Sequence, residues 1–323
     1  MKYRWLLGLA VIGMISCGKS NDTTPPIPID PVEPVDTVPI ANYDITLLDY
    51  TTAFQTNPIV YPMARQDYNE LSGIAASKIN NGILYMHDDA KNAPIAITNT
   101  KGEDLGTIIL DKVNTINPED ISVGPGPDAT KSYIYYADIG DNNFNRALVT
   151  VYRFEEPVLT GVSAQMQIHV TPDIIQLKYP NSSLNAETIL IDPLTKDLYL
   201  ASKETNQSTL YLASYPQSTT SITTMKPVVK TRFDLLTSGD IAPDGKAILL
   251  RNKGQIFYWT RDVSKTIAAT ILQTPSRAPF AANEPQGEGI GFAADNSGYY
   301  TNTEIKNHDG SVSNISFYKK NGN

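Results

Sequence analysis

The sequence predicts an all-β fold, a β-propeller of four-stranded blades, and three observations carry that prediction. A short phrase returns five times along 323 residues: ELSGIAAS at 70–77, PEDISVGP at 118–125, NAETILIDP at 185–193, SGDIAPDG at 238–245 and QGEGIGFAAD at 286–295. After each copy comes a turn and a second apolar run: GILYMHDD, YIYYADIGDN, LYLASKE, AILLRNK and GYYTNTE. A repeat of this length, built from short strands, is the signature of radially arranged blades. The turns are chemically explicit, with DPLTKD, APDGK and AADNSG placing Asp, Asn, Pro and Gly at the reversals.

Taken in order, residues 1–16 read as an export signal. Lys2 and Arg4 precede WLLGLAVIGMI, an apolar stretch too short to span a bilayer comfortably. Met14-Ile15-Ser16-Cys17 resembles a bacterial lipobox, with Met where Leu is usual. Cys17 is the only cysteine, so no intrachain disulfide can form, and lipidation explains a lone Cys in an exported chain. The alternative is an ordinary secretory signal cut nearby. Residues 17–41 are then a lipidated Cys followed by a Pro-rich, acidic linker that cannot bury enough surface to fold. The propeller is expected over 42–323.

Removing residues 1–16 takes away two bases and no acid, moving the formal charge from −8 to −10. Such a field excludes nucleic acid as a natural partner. The membrane is reached through the lipid anchor only. The expected location is the bacterial cell envelope, at the outer membrane or its periplasmic face, and the expected state is a monomer.

Third runs follow in every copy: APIAITNT, VTVYRFEE, TLYLASYP, QIFYWTRD and NISFYKK. Fourth runs follow in most: GTIILDK, IIQLKYP, PVVKTRFDL and TIAATILQT. They are rich in β-branched and aromatic residues, and most alternate. The second copy carries an insertion around 158–170. The last copy ends at its third strand, so an N-terminal strand, 42–53 being the candidate, closes the ring and removes its exposed edge. Five blades are counted; six is the alternative, should 42–69 and the insertion hide another. No helix beyond the signal is expected.

The hairpin geometry draws the starts of the first strands and the ends of the second strands to one mouth of the channel. The residues placed there are Glu70, His87, Asp88, Glu119, Asp120, Asp138, Asp141, Asn142, Glu187, Lys203, Asp240, Arg251 and Glu288, with Asp89, Glu204 and Glu304 beside them. Three readings fit. The first is a Ca2+ site, because the donors are oxygens and no Cys/His set exists for zinc. The second is acid–base chemistry by a carboxylate whose like-charged neighbours raise its pKa, with Lys203, Arg251 or His87 handling an anion. The third is structural: Asp and Glu before a strand cap turns. There is no G-x-S-x-G, and GPGPD at 124–128 lacks the Lys-Ser/Thr of a phosphate loop. The 18 tyrosines lie mostly in strands.

NELSGIAAS with LYMHDDA, PEDISVGPGPD with YYADIGDNN, VTVYRFEEP, KYPNSSLNAETILIDPLTKDLYLASKE, SGDIAPDG with LLRN, and QGEGIGF together resemble a widespread bacterial family of exported β-propellers. That family more distantly resembles esterase-like and phytase-like propellers. The resemblance covers nearly all of 66–304. It implies a polar, calcium-bearing mouth, with Glu119, Asp120, Asp138, Asp141, Asn142, Glu187, Lys203, Asp240, Arg251 and Glu288 carried over by position. Asp88 departs from it, standing where the family commonly has Asn. The function expected is a cell-surface or periplasmic ligand-binding or interaction propeller. The alternatives are a metal-dependent phosphoesterase or esterase-like hydrolase at the same mouth, and a glycan-binding accessory lipoprotein. A small-molecule or glycan ligand is the expected partner.

Overall fold

The structure is a computed structural model and describes residues 37–280 and 284–322. The signal, Cys17 and nearly all of the linker lie outside the described residues. Among the described residues five sheets form the body, antiparallel but for one added outer strand on each of two. Blade 1 runs Leu71–Ala76, Ile83–Asp88, Ile95–Asn99 and Asp104–Leu110. Blade 2 runs Pro118–Pro125, Ser132–Asp138, Val149–Glu155 and Asp173–Lys178. Blade 3 runs Ala186–Ile191, Leu198–Ser202, Ser208–Ala213 and Lys226–Thr231. Blade 4 runs Leu236–Ile241, Ala247–Asn252, Gln255–Thr260 and Ser276–Ala278. Blade 5 runs Gln286–Phe292, Gly298–Glu304, Asn314–Lys319 and, from the other end of the chain, Ile59–Pro62. Each first strand packs against the first strands of the blades before and after it, and the last touches the first. The ring is therefore a five-bladed β-propeller; the six-blade alternative is not adopted.

The closing strand is Ile59–Pro62, not the expected 42–53. Prolines at 58 and 62 bracket it, keeping an outermost strand short. The 42–53 stretch serves a different purpose. Ile40 pairs in parallel with Lys230 at the edge of blade 3, Tyr50 with Arg277 at blade 4, and Phe54 meets Lys320 beside blade 5. Ala41 is 1% exposed, so the folded body begins near Val38 and the expected linker boundary moves back from 41.

Blades 1 and 2 gain the same protection from within. The expected insertion contains Gln167–Val170, which pairs in parallel with Thr107–Leu110 of blade 1. Thr223–Thr224, from the third-to-fourth connection of blade 3, pairs in parallel with Leu177 and Lys178 of blade 2. Each of these outer edges is thus covered by another part of the chain, which blunts edge-to-edge association and ties neighbouring blades together.

TIAATILQT does not form the fourth strand of blade 4. Ile267–Ile271 is a short helix, started by Thr266, whose hydroxyl accepts from the Ala269 N–H, and Ser276–Ala278 is the strand. An N-cap hydroxyl followed by alanines favours helix over a strand.

The blades are held by apolar faces and by buried ion pairs. Tyr43, Leu190, Phe233, Phe257 and Trp259 share one cluster between blades 3 and 4. Phe54 inserts from the strap between Tyr258 and Tyr299, with ring centroids 5.2 and 4.8 Å away, both edge-on. Arg261 of blade 4 makes a two-pronged pair with Asp192 of blade 3, at 3.0 and 2.9 Å, nearly out of solvent. Among the described residues no helix is long and apolar enough to cross a membrane.

Candidate functional site

Every first strand breaks register with its neighbour at the same height. The irregularity falls at Ser72-Gly73 in blade 1, Glu119 in blade 2, Glu187 in blade 3, Thr237 in blade 4 and Glu288-Gly289 in blade 5. A bulge re-aims the extra side chain. The ring therefore presents three glutamates and two hydroxyls at one level. The hydroxyls are consumed between blades: Ser72 donates to the Glu119 carbonyl at 2.5 Å, and Thr237 to the Glu288 carbonyl at 3.1 Å. The three glutamates remain for the mouth.

Each glutamate stands two residues after a side-chain amide that donates to it. Asn117 Nδ2 reaches Glu119 Oε1 at 2.6 Å, Asn185 Nδ2 reaches Glu187 Oε1 at 3.4 Å, and Gln286 Nε2 reaches Glu288 Oε1 at 3.0 Å. The sequence signal was present as N-P-E, N-A-E and Q-G-E, an amide-x-Glu pattern in three blades, and the amides were missed. Asn117 also donates to Asp89 at 2.7 Å. Gly140, in the DIGDN turn, makes room: a Cβ there would lie 2.1 Å from Glu119 Oε1.

Lys203 supplies the internal cation. Its ammonium is paired with Glu187. Burial alone depresses an amine, but Glu187, Glu288 and Glu119 outweigh it and raise Lys203. The acids respond oppositely. Burial lifts the Glu119 carboxyl well above its usual range, reinforced by Glu187 and Asp89. Burial takes Glu288 to about 8, with Lys203 opposing, and takes Asp89 to about 7, with Glu187 and Glu70 adding. Burial also raises Glu187, with Lys203 opposing. Lys253 also acts to lower Glu187 and Glu288, yet burial wins and Glu288 keeps its proton at neutral pH.

Below this ring Asp120 closes the channel. It accepts from the Ile121 and Ile189 N–H groups at 2.9 and 3.0 Å and from Ser238 Oγ at 3.1 Å. It is fully buried, and burial raises its pKa well above the usual value. A Cβ on Gly73 would lie 2.7 Å from Asp120 Oδ1, so glycine is required opposite it.

Other expected site residues lie elsewhere. Asp240 sits two residues deeper than the repeat implied, because Gly239 rather than Ile241 occupies the level of Ile74, Ile121, Ile189 and Ile290. It accepts from the Phe292 N–H at 2.7 Å; burial takes it to about 6, with Lys78 opposing. Arg251 is wholly buried between blades, donating to Glu284 at 3.0 Å and to the Gly289 carbonyl at 2.9 Å. Asp138 accepts from the Ile116 and Asn117 N–H groups and from Arg146. Asp141 accepts from the Asn145 and Arg146 N–H groups, and Asn142 from Asn185. Asp88 accepts from the Glu70 N–H at 2.8 Å, while Glu70 pairs with Lys306. His87 is buried edge-on against Tyr136, and burial lowers it to about 4. These are turn clamps and blade clamps. The side chains gathered at the mouth are Glu119, Glu187, Glu288, Asp89 and Lys203.

The donors suit a hard cation in kind, since all are carboxylate or amide oxygens. Their arrangement is not that of a preformed site: among the described residues no group of three or more His, Cys, Asp or Glu side chains is set to hold a metal ion.

No family model matches the chain, and no curated protein matches it. Solved structures similar to it include one from a nidogen/laminin complex, 13% identical, covering 78% of this chain and 84% of the other at a TM-score of 0.42. The Dos1 propeller is 10% identical, with 77% and 68% covered at 0.37. A chain of the hydrazine synthase of Kuenenia stuttgartiensis is 12% identical, with 71% and 60% covered at 0.35. At these scores the strand topology itself defines the fold, and function rests on the chain's own residues.

Proposed function

We propose that this chain is a ligand-binding propeller of the bacterial cell envelope, anchored through a lipidated Cys17, whose mouth takes a cation, with Ca2+ as the first candidate. The observation that carries the reading is the set of three amide-held glutamates, from blades 2, 3 and 5, with the Lys203 ammonium paired to one of them. Buried carboxyls held above their usual pKa store protons that an entering cation displaces. A divalent ion would be held by Glu119, Glu187 and Glu288, and it would have to loosen Lys203 from Glu187 to gather them. Calorimetric titration of the full chain with Ca2+ in two buffers of different ionisation enthalpy tests this. Binding with net proton release, abolished in Glu119→Gln/Glu288→Gln, supports it. Ca2+ heat that is absent, or unchanged in the double variant, sinks it.

A metal-dependent phosphoesterase at the same mouth is favoured by one feature: burial holds the Glu119 and Glu288 carboxyls above their usual range, as suits a general acid. Calcium-dependent turnover of p-nitrophenyl phosphate, lost on Glu288→Gln, would select that reading.

A further inference from the structure

Beside the mouth, between blades 2 and 3, lies a separate cavity of about 230 Å³. It is lined by Tyr179 and Tyr211, whose rings meet edge-on at 4.9 Å, and by Asn181, Glu204, Gln207 and Lys230. Glu204 was expected to share the acidic mouth. Its carboxylate turns instead toward this cavity, accepting from Ser202 Oγ at 2.5 Å and from Gln207 Nε2 at 3.3 Å. It acts electrostatically on both tyrosine hydroxyls. The Tyr179 hydroxyl is buried with no hydrogen-bond partner.

The lining is half aromatic and aliphatic, with Val38, Leu184 and Pro227 completing it, and half amide and carboxylate. Its formal charges, Glu204 and Lys230, cancel. The cavity suits a ligand about the size of one sugar ring. Such a ligand has C–H faces for the tyrosines and adjacent hydroxyls that donate to Glu204 and accept from Gln207 and Asn181. A charged ligand gains no net partner here. We infer that this cavity is a subsite for a neutral hexose or pentose unit of a glycan, distinct from the cation mouth and independent of it.

The test is saturation-transfer NMR on the full chain with the methyl glycosides of glucose, galactose, mannose, xylose and N-acetylglucosamine, one at a time. A ligand this small binds at about millimolar strength, so each is used at ~10 mM. The expected result is transfer to at least one glycoside, reduced about tenfold in affinity in Glu204→Gln. Asn181→Trp, on the exposed loop at the rim, should fill the cavity and abolish transfer while the melting temperature stays at the wild-type value. Transfer should persist in Glu288→Gln, which keeps this proposal separable from the cation reading. Transfer to none of the five glycosides would overturn the inference. So would transfer that survives Asn181→Trp, or that Glu288→Gln removes.

Discussion

Asp120 of blade 2 accepts a hydrogen bond from Ser238 of blade 4 at 3.1 Å, spanning the channel past blade 3. The same Ser238 oxygen accepts from the Ile290 N–H of blade 5 at 3.2 Å. One buried carboxyl therefore joins the interior ends of several blades and forms the floor of the mouth.

Both carboxyl oxygens of Asp120 accept, Oδ1 from the Ile121 N–H and Ser238 Oγ and Oδ2 from the Ile189 N–H, so an amide would set its NH2 against a donor. Asp120→Asn and Asp120→Ala should each cost about 2–4 kcal/mol, the first by setting an NH2 against a buried donor and the second by orphaning the Ile189 and Ile121 N–H groups. Denaturant unfolding of both variants checks this; an Asp120→Asn variant as stable as the wild type would mean that one accepting oxygen is enough.

Stability should fall as pH rises from about 6.5 to about 8.5. Asp89 and Glu288, at about 7 and about 8 in the folded chain, bind protons that the unfolded chain has already lost. Folding then weakens with rising pH. His87, lowered to about 4, has the opposite slope, but only below its unfolded value near 6.5. Melting curves across this range should flatten in Glu288→Gln. A rising curve would reverse the assigned direction of the shifts.

Arg261 and Asp192 form a buried pair between blades, so removing one partner strands the other. Asp192→Ala and Arg261→Met should each cost about 3–5 kcal/mol, and the double variant less than their sum. Additive losses in a double-mutant cycle would show that the two are not coupled.

Phe54 fixes the strap between Tyr258 and Tyr299. Phe54→Ala should cost about 3–5 kcal/mol and speed proteolysis within 38–58. A variant as resistant as the wild type would make the strap dispensable.

Cys17→Ala should move the protein from the membrane fraction to the soluble fraction. Continued membrane association would remove the lipid anchor from the account.

The blade count was legible because the phrase ELSGIAAS and its four relatives keep turn chemistry and apolar runs together. What escaped was partnership between distant segments. Gln167–Val170 falls in the insertion of the second copy, and nothing local says that it forms a strand and joins blade 1. The site was half legible. Glu119, Glu187 and Glu288 follow from the repeat, but their bulges do not. Aligning Ile241 with Ile189, rather than Gly239, therefore placed Asp240 two residues too high. Arg251 and Asp138 were assigned to the mouth by strand position, whereas packing turned them toward Glu284 and Arg146. Asn117, Asn185 and Gln286 were visible in the amide-x-Glu pattern.

The most direct measurement of the central claim is the melting temperature of the full chain at pH 7, in EDTA and in millimolar Ca2+, for wild type and Glu288→Gln. A ligand bound only by the folded form stabilises it by about 2.7 kcal/mol at a hundredfold excess over Kd. The account predicts an upward shift in the wild type that the variant loses. Identical curves with and without Ca2+ in the wild type would contradict it.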